Sequence, residues 1–96
     1  MRMIQRIARR QRAAVPVRLY ERPGCHLCDD AERLLYRLAD RYPVQLQKID
    51  ITSDSDLVRR YDIRIPVLVI DDSVELEAPI DGNELERVLK SAQRTS

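Results

Sequence analysis

Apolar and polar positions along this chain follow two periods. From Val15 to Tyr20 the apolar residues recur at every second position after Pro16, the mark of a half-buried strand. From Leu27 to Tyr42 the period lengthens. Leu27, Ala31, Leu34, Leu35, Leu38, Ala39 and Tyr42 gather on one helical side, with Glu32, Arg33, Arg37, Asp40 and Arg41 opposite. Pro43 stops that helix, and Val44 to Ile51 returns to strand spacing. A helix between two such strands is a crossover, so the strands should lie parallel with a right-handed connection. Thr52 to Asp56 is rich in helix-starting residues and leads into a short helix through Leu57, Val58 and Tyr61. Ile65 to Ile70 is almost continuously apolar, as in a strand buried on both faces. Asp71-Asp72-Ser73 then turns the chain into Val74–Glu77, a short charged strand suited to a sheet edge. Asp81 and Glu84 open a last helix carrying Leu85, Val88, Leu89 and Ala92. The order β-α-β-α-β-β-α, without repeat or linker, predicts one α/β domain over residues 15–96.

Residues 1–14 look like an addition to that domain. They hold Arg2, Arg6, Arg9, Arg10 and Arg12 and no acid, so the net charge of +1 hides a body of charge −4. Met3, Ile4, Ile7, Ala8 and Gln11 roughly share one helical face. Three readings stand: a solvated basic extension, which is the one expected; a helix docked on the acidic body; or a targeting or surface-binding segment. No aromatic residue is interleaved with the arginines, so nucleic acid is not expected as a partner. No apolar run approaches transmembrane length, and a membrane is not expected either. Two cysteines in 96 residues are too few for a secreted disulfide scaffold, and a reducing cytoplasm is the expected location.

Those two cysteines carry the chemistry. They lie in Arg22-Pro23-Gly24-Cys25-His26-Leu27-Cys28, between the first strand and the first helix. Cys25 falls at the helix start, where unpaired backbone N–H groups and the helix dipole favour a thiolate. Arg22 adds positive charge, while Glu21, Asp29 and Asp30 oppose it, so a modest lowering of the Cys25 thiol is expected. Cys28 shares the helical face one turn deeper, close enough to close a disulfide. Cys25 is therefore the candidate attacking thiol and Cys28 the candidate resolving thiol. A zinc site needs four ligands, and this chain would have to supply two thiolates from each of two copies. A static disulfide gains little from so short a loop.

The dithiol at a helix start, inside a βαβ unit followed by a ββα unit, resembles the thioredoxin superfamily over residues 15 to about 92. Tyr20-Glu21-Arg22-Pro23-Gly24-Cys25 is most similar to the Tyr-x-Lys-Pro-x-Cys entry of glutaredoxins and short bacterial glutaredoxin-like proteins. The resemblance implies a glutaredoxin-type α/β fold with a four-stranded mixed sheet flanked by helices. It implies a thiol–disulfide oxidoreductase acting on protein disulfides or glutathione mixed disulfides, with glutathione or a thioredoxin reductase as reductant. Ile65-Pro66 resembles the superfamily's cis-proline, which faces the dithiol and pairs backbone with substrate. Arg22 beside the dithiol and Arg64 beside this proline are candidate receptors for an anionic substrate group, and with His26, Leu27, Ile65 and Pro66 they make up the candidate substrate-binding residues.

The departures bear on the partner. His26-Leu27 replaces the glutaredoxin Pro-Tyr, Arg64-Ile65 replaces Thr-Val, and the Gly-Gly-x-Asp that holds glutathione is at best Asp81-Gly82-Asn83-Glu84. Leu19 stands where thioredoxins carry a buried acid. No bound cofactor or metal is expected, glutathione entering only as a co-substrate, and a monomer is expected. The alternative is a binding protein on the same fold, either a metal or iron–sulfur carrier through a dimer or a redox adaptor.

Overall fold

The computed structural model describes residues 14–95, so the basic segment, apart from Ala14, lies outside the described residues. The elements are β1 (Val15–Glu21), α1 (His26–Ala39), β2 (Val44–Asp50), a 3-10 turn (Ile51–Ser53), α2 (Ser55–Tyr61), β3 (Val67–Ile70), β4 (Val74–Glu77) and α3 (Gly82–Thr95). The sheet order is β2-β1-β3-β4. β1 pairs parallel with β2, β3 runs antiparallel to β1, and β4 antiparallel to β3. The expected element order and mixed four-stranded sheet are both observed.

Side-chain alternation divides the core. Val15, Val17 and Leu19 of β1 point to one face with Leu68 and Ile70 of β3. There they meet Ala31, Leu35 and Leu38 of α1 and Leu85 and Leu89 of α3. Tyr20, Val67 and Val69 point to the other face, against Ile51 and Tyr61. β1 sits between β2 and β3 and has both faces covered, which fixes its C-terminal end and the turn that follows.

Local chemistry closes the elements. Asp50 Oδ1 accepts from the Thr52 N–H (2.9 Å) and hydroxyl (2.7 Å), starting the 3-10 turn. Asp54 Oδ1 accepts from the Asp56 N–H (2.8 Å), and Asp81 Oδ1 from the Asn83 N–H (2.9 Å), as helix caps. Between β3 and β4, Asp71 and Asp72 both take left-handed backbone (φ 55° and 57°), a conformation aspartate adopts more readily than most residues. The Ser73 N–H closes that turn on the Ile70 carbonyl at 3.1 Å.

Three boundaries differ from the sequence reading. α1 ends at Ala39 rather than Tyr42, because the N–H groups of Arg41 and Tyr42 both turn onto the Leu38 carbonyl (3.0 and 2.9 Å). β2 stops at Asp50, since Ile51 enters the 3-10 turn. β3 begins at Val67, not Ile65, because the Ile65 N–H donates to the Tyr61 carbonyl at 3.1 Å and so closes α2. Tyr36, an aromatic residue that the helical pattern would assign to packing, is instead exposed and donates its hydroxyl to Glu32 (3.0 Å).

Candidate active site

β1 delivers the chain to Arg22-Pro23, and Gly24 reverses it with φ at +77°, a conformation glycine adopts without a side-chain clash. Cys25 is thereby left in extended backbone (φ −91°, ψ 106°) as the N-cap of α1. Its sulfur accepts the Cys28 N–H at 3.1 Å, filling the place a serine or aspartate oxygen usually takes, and its carbonyl accepts from the Asp29 N–H at 3.1 Å. One turn on, Cys28 closes a disulfide with Cys25, their Cα atoms 5.2 Å apart. The two sulfurs are not equivalent. Cys28 has no exposure at all, being packed beneath the helix, whereas Cys25 is half-buried and reachable from solvent.

The other expected residues surround this pair unevenly. His26 is exposed, and Leu27 keeps 57% of its surface in solvent. Pro66 is cis, as its position suggested, and fully buried. It shares a groove of about 250 Å³ with Leu27, Ala31, Leu34, Pro79 and Ile80, and Asp30 and Arg37 stand at the polar edge. Ile65 is half-buried. Its N–H is spent on Tyr61, so only its carbonyl remains to pair with an incoming strand.

Both expected anion-binding arginines already hold carboxylates of the chain. Arg22 pairs with Asp62 through one terminal nitrogen, while its Nε is buried without a hydrogen-bond partner. Arg64 donates from Nε to Glu77 (2.9 Å) and from a terminal nitrogen to Glu75 (2.5 Å). A hydrogen bond from the Ala78 N–H to the Arg64 carbonyl (3.3 Å) ties the same loop to the end of β4. These partners lie 40 residues away from Arg22, and 11 and 13 from Arg64, and sequence reading missed them. The available signal was the alternation of Glu75 and Glu77 along a strand expected at the sheet edge. A second cis bond, Ala78–Pro79, contributes to the groove and was not singled out from the sequence.

A further carboxylate lies at the end of β1. Glu21 follows Leu19 on the sheet face that α1 covers, and it shares Lys48 (3.8 Å) with Glu32 (3.1 Å to Lys48). Burial pushes the Glu21 carboxyl above its ordinary value, with help from Glu32, Asp29 and Asp50 and against the opposing pull of Lys48. Asp50 is held below the ordinary range by its two bonds from Thr52. Together with Lys48, Arg22, Pro23 and Gly24, the carboxylates of Glu21, Asp29 and Asp50 line a small cleft beside the disulfide. Among the described residues no group of three or more His, Cys, Asp or Glu side chains assembles as a metal site. No helix among them is long and apolar enough to cross a membrane.

Comparison with known proteins agrees with this geometry. The chain is similar to the solved target protein XcR50 from X. campestris, at 33% identity over 79% of this chain and 97% of that one, with a TM-score of 0.69. It is also similar to protein Ne2328 from Nitrosomonas europaea, at 28% identity over 78% and 91% of the two chains and the same TM-score. A variant thioredoxin from Halobacterium salinarum is 20% identical with a TM-score of 0.65 over 97% of this chain and 85% of that one, a likeness of fold. The thioredoxin-like fold and the disulfide-forming pair at its helix start support a redox-type function. The model of the glutaredoxin-like domain (DUF836) matches residues 16–90, and the chain belongs to that family.

Proposed function

We propose that this protein is a thiol–disulfide oxidoreductase that reduces protein disulfides or glutathione mixed disulfides, working as a monomer in the cytoplasm. The observation that carries the reading is the unequal exposure of the two sulfurs in the Cys25–Cys28 disulfide. In the reduced protein Cys25, as thiolate, attacks one sulfur of the substrate disulfide. A mixed disulfide with Cys25 forms, and the other substrate sulfur leaves and takes a proton. Cys28 then loses its proton and attacks the Cys25 sulfur. That step releases the second substrate thiol and leaves the Cys25–Cys28 disulfide. Two electrons from a thiol reductant, glutathione or a thioredoxin reductase, return the protein to its dithiol form. The N-cap position suits Cys25 to the first step, since the Cys28 N–H and the helix dipole stabilise negative charge on its sulfur. Burial suits Cys28 to the second, because external disulfides cannot reach it.

Cys25→Ser should abolish exchange with every disulfide. Cys28→Ser should still attack but stop as a mixed disulfide, visible by mass spectrometry. In the reduced wild type, iodoacetamide near neutral pH should label Cys25 far faster than Cys28. Equal labelling rates would overturn the assignment of roles, and a coloured, cluster-bearing protein without turnover would overturn the enzymatic reading.

A further inference from the structure

The surroundings of the disulfide separate the two substrate classes left open above. Glutathione carries two carboxylates and one ammonium, a net negative charge, and a site that binds it needs cations free to receive carboxylates. Here Arg22 is held by Asp62, with its Nε turned into the protein, so it cannot present a full fork to a ligand. Arg64 has both usable edges taken by Glu75 and Glu77. Lys48 is shared between Glu21 and Glu32, and Arg33 is paired with Asp30. Arg37 also lines the groove, but ten residues along α1 from Leu27 it is about 15 Å from the helix start. On the opposite flank, Glu21, Asp29 and Asp50 put excess negative charge beside Gly24 and Cys25. An incoming carboxylate would have to displace an internal one and enter a negative field.

Apolar surface is what the site does offer. Leu27, between the cysteines, is 57% exposed, and Ile63, three residues before Pro66, is 96% exposed. Among the described residues nothing covers Ile63, and an isoleucine held almost wholly in water gains free energy when something covers it. The residues on either side of it, Asp62 and Arg64, are the ones anchored by ion pairs to Arg22 and to β4. The loop therefore presents Ile63 on a fixed base. The groove below Leu27 is continuous with the disulfide-bearing helix and walled by Pro66, Pro79 and Ile80.

Resting on the oxidoreductase reading, we infer that the site selects disulfides in extended polypeptide segments that carry an apolar side chain beside the cysteine and no excess of acid, and that it discriminates against glutathione. The apolar side chain enters the groove between Leu27 and Pro66, and Ile63 closes over the segment's flank. The internal ion pairs keep Arg22 and Arg64 from acting as carboxylate receptors.

The test compares three substrates at equal concentration: oxidised glutathione, a peptide disulfide flanked by leucine and lysine, and the same peptide with both flanks changed to glutamate. The leucine–lysine peptide should show the highest kcat/KM, by about tenfold or more over either other substrate. Ile63→Ser should lower kcat/KM for that peptide several-fold, and by a clearly larger factor than for oxidised glutathione. Glu75→Gln with Glu77→Gln, which frees Arg64, should raise the rate with oxidised glutathione. Oxidised glutathione matching the best peptide, or an Ile63→Ser variant indifferent to the peptide, would overturn the inference. Binding of reduced leucine–lysine peptide and of glutathione to Cys25→Ser, followed by NMR shifts, reads selectivity without turnover. Peptide binding without turnover in the wild type would sink the oxidoreductase reading and uphold the selectivity; glutathione binding more tightly than the peptide would sink the selectivity alone.

Discussion

Under α1 and α3 the sheet presents Val15, Val17, Leu19, Leu68 and Ile70, closed over by Leu35, Leu38, Leu85 and Leu89. On its other face one short helix supplies Tyr61, which stacks on Tyr20 (ring centroids 4.2 Å apart) beside Ile51, Val67 and Val69. The first face is aliphatic and closed by two helices of 14 residues, the second thin and aromatic under a helix of seven. The candidate site draws one half from each. Cys28 lies in α1 and Cys25 caps its start, and α1 covers the thick face. The loop from Asp62 to Pro66 hangs from the thin one, since the N–H groups of Arg64 and Ile65 both donate to the Tyr61 carbonyl (2.8 and 3.1 Å). The thiols are thus held by deep packing, and the wall that meets substrate is held by one aromatic ring and a few ion pairs.

The largest effect should come from breaking the thick face. Leu35 is fully buried in the middle of α1, and Leu35→Ala should lower unfolding free energy by about 2–5 kcal/mol, read from urea denaturation. In the fraction that stays folded, selective labelling of Cys25 should persist, because the helix start itself is untouched. Tyr61→Leu keeps apolar volume but removes the Tyr20 stack and the ring under Arg60 and Arg64, whose guanidinium carbons lie 5.8 and 5.5 Å from its centroid. A loss of about 1–2 kcal/mol is expected. Its mark should be kinetic: slower exchange with peptide disulfides and little change with a minimal small disulfide. If Tyr61→Leu destabilises as much as Leu35→Ala, or slows both substrates alike, the two faces are not different supports and the comparison fails.

The thick face was readable from sequence and the thin one much less so. Leu35, Leu38, Leu85 and Leu89 recur at helical spacing, and Val17, Leu19, Leu68 and Ile70 sit at alternate strand positions, so periodicity alone located them. Cys25 and Cys28 were legible because their chemistry is local: a turn, a helix start and three residues of spacing. Tyr20 ends a strand that the pattern reveals and is buried, but its stack on Tyr61 joins positions 41 residues apart. The pairs Arg22–Asp62, Arg64–Glu75 and Arg64–Glu77 are likewise products of tertiary folding. A single sequence shows each arginine as available charge; only the folded chain shows which carboxylate it meets. The boundary at Val67 was misplaced for a related reason, since the N–H of Ile65 was claimed by a helix that propensity could not extend so far.

The smallest expected effect tests a charged position at the edge of the thick face. Glu21 continues the inward register of Val17 and Leu19, and its side chain keeps only 17% of its surface exposed. Burial raises its carboxyl above the ordinary value, and Lys48 offsets only part of that. The folded state therefore holds this proton more tightly than the unfolded chain does. For such a group stability falls as pH rises from the ordinary carboxylate value through the raised one, and the whole penalty is present above the raised value. Glu21→Gln removes the ionisation while keeping the shape. Near pH 7 it should stabilise the protein by a few tenths of a kcal/mol, about the scale of a partly exposed ion pair. Near pH 4, where the native carboxyl is largely protonated in both states, the difference should vanish. Urea midpoints of the two proteins at both pH values decide it. A variant less stable than wild type near pH 7 would mean that the pull of Lys48 outweighs burial, and that the thick face accepts a charge at its edge as readily as the thin face accepts its arginines.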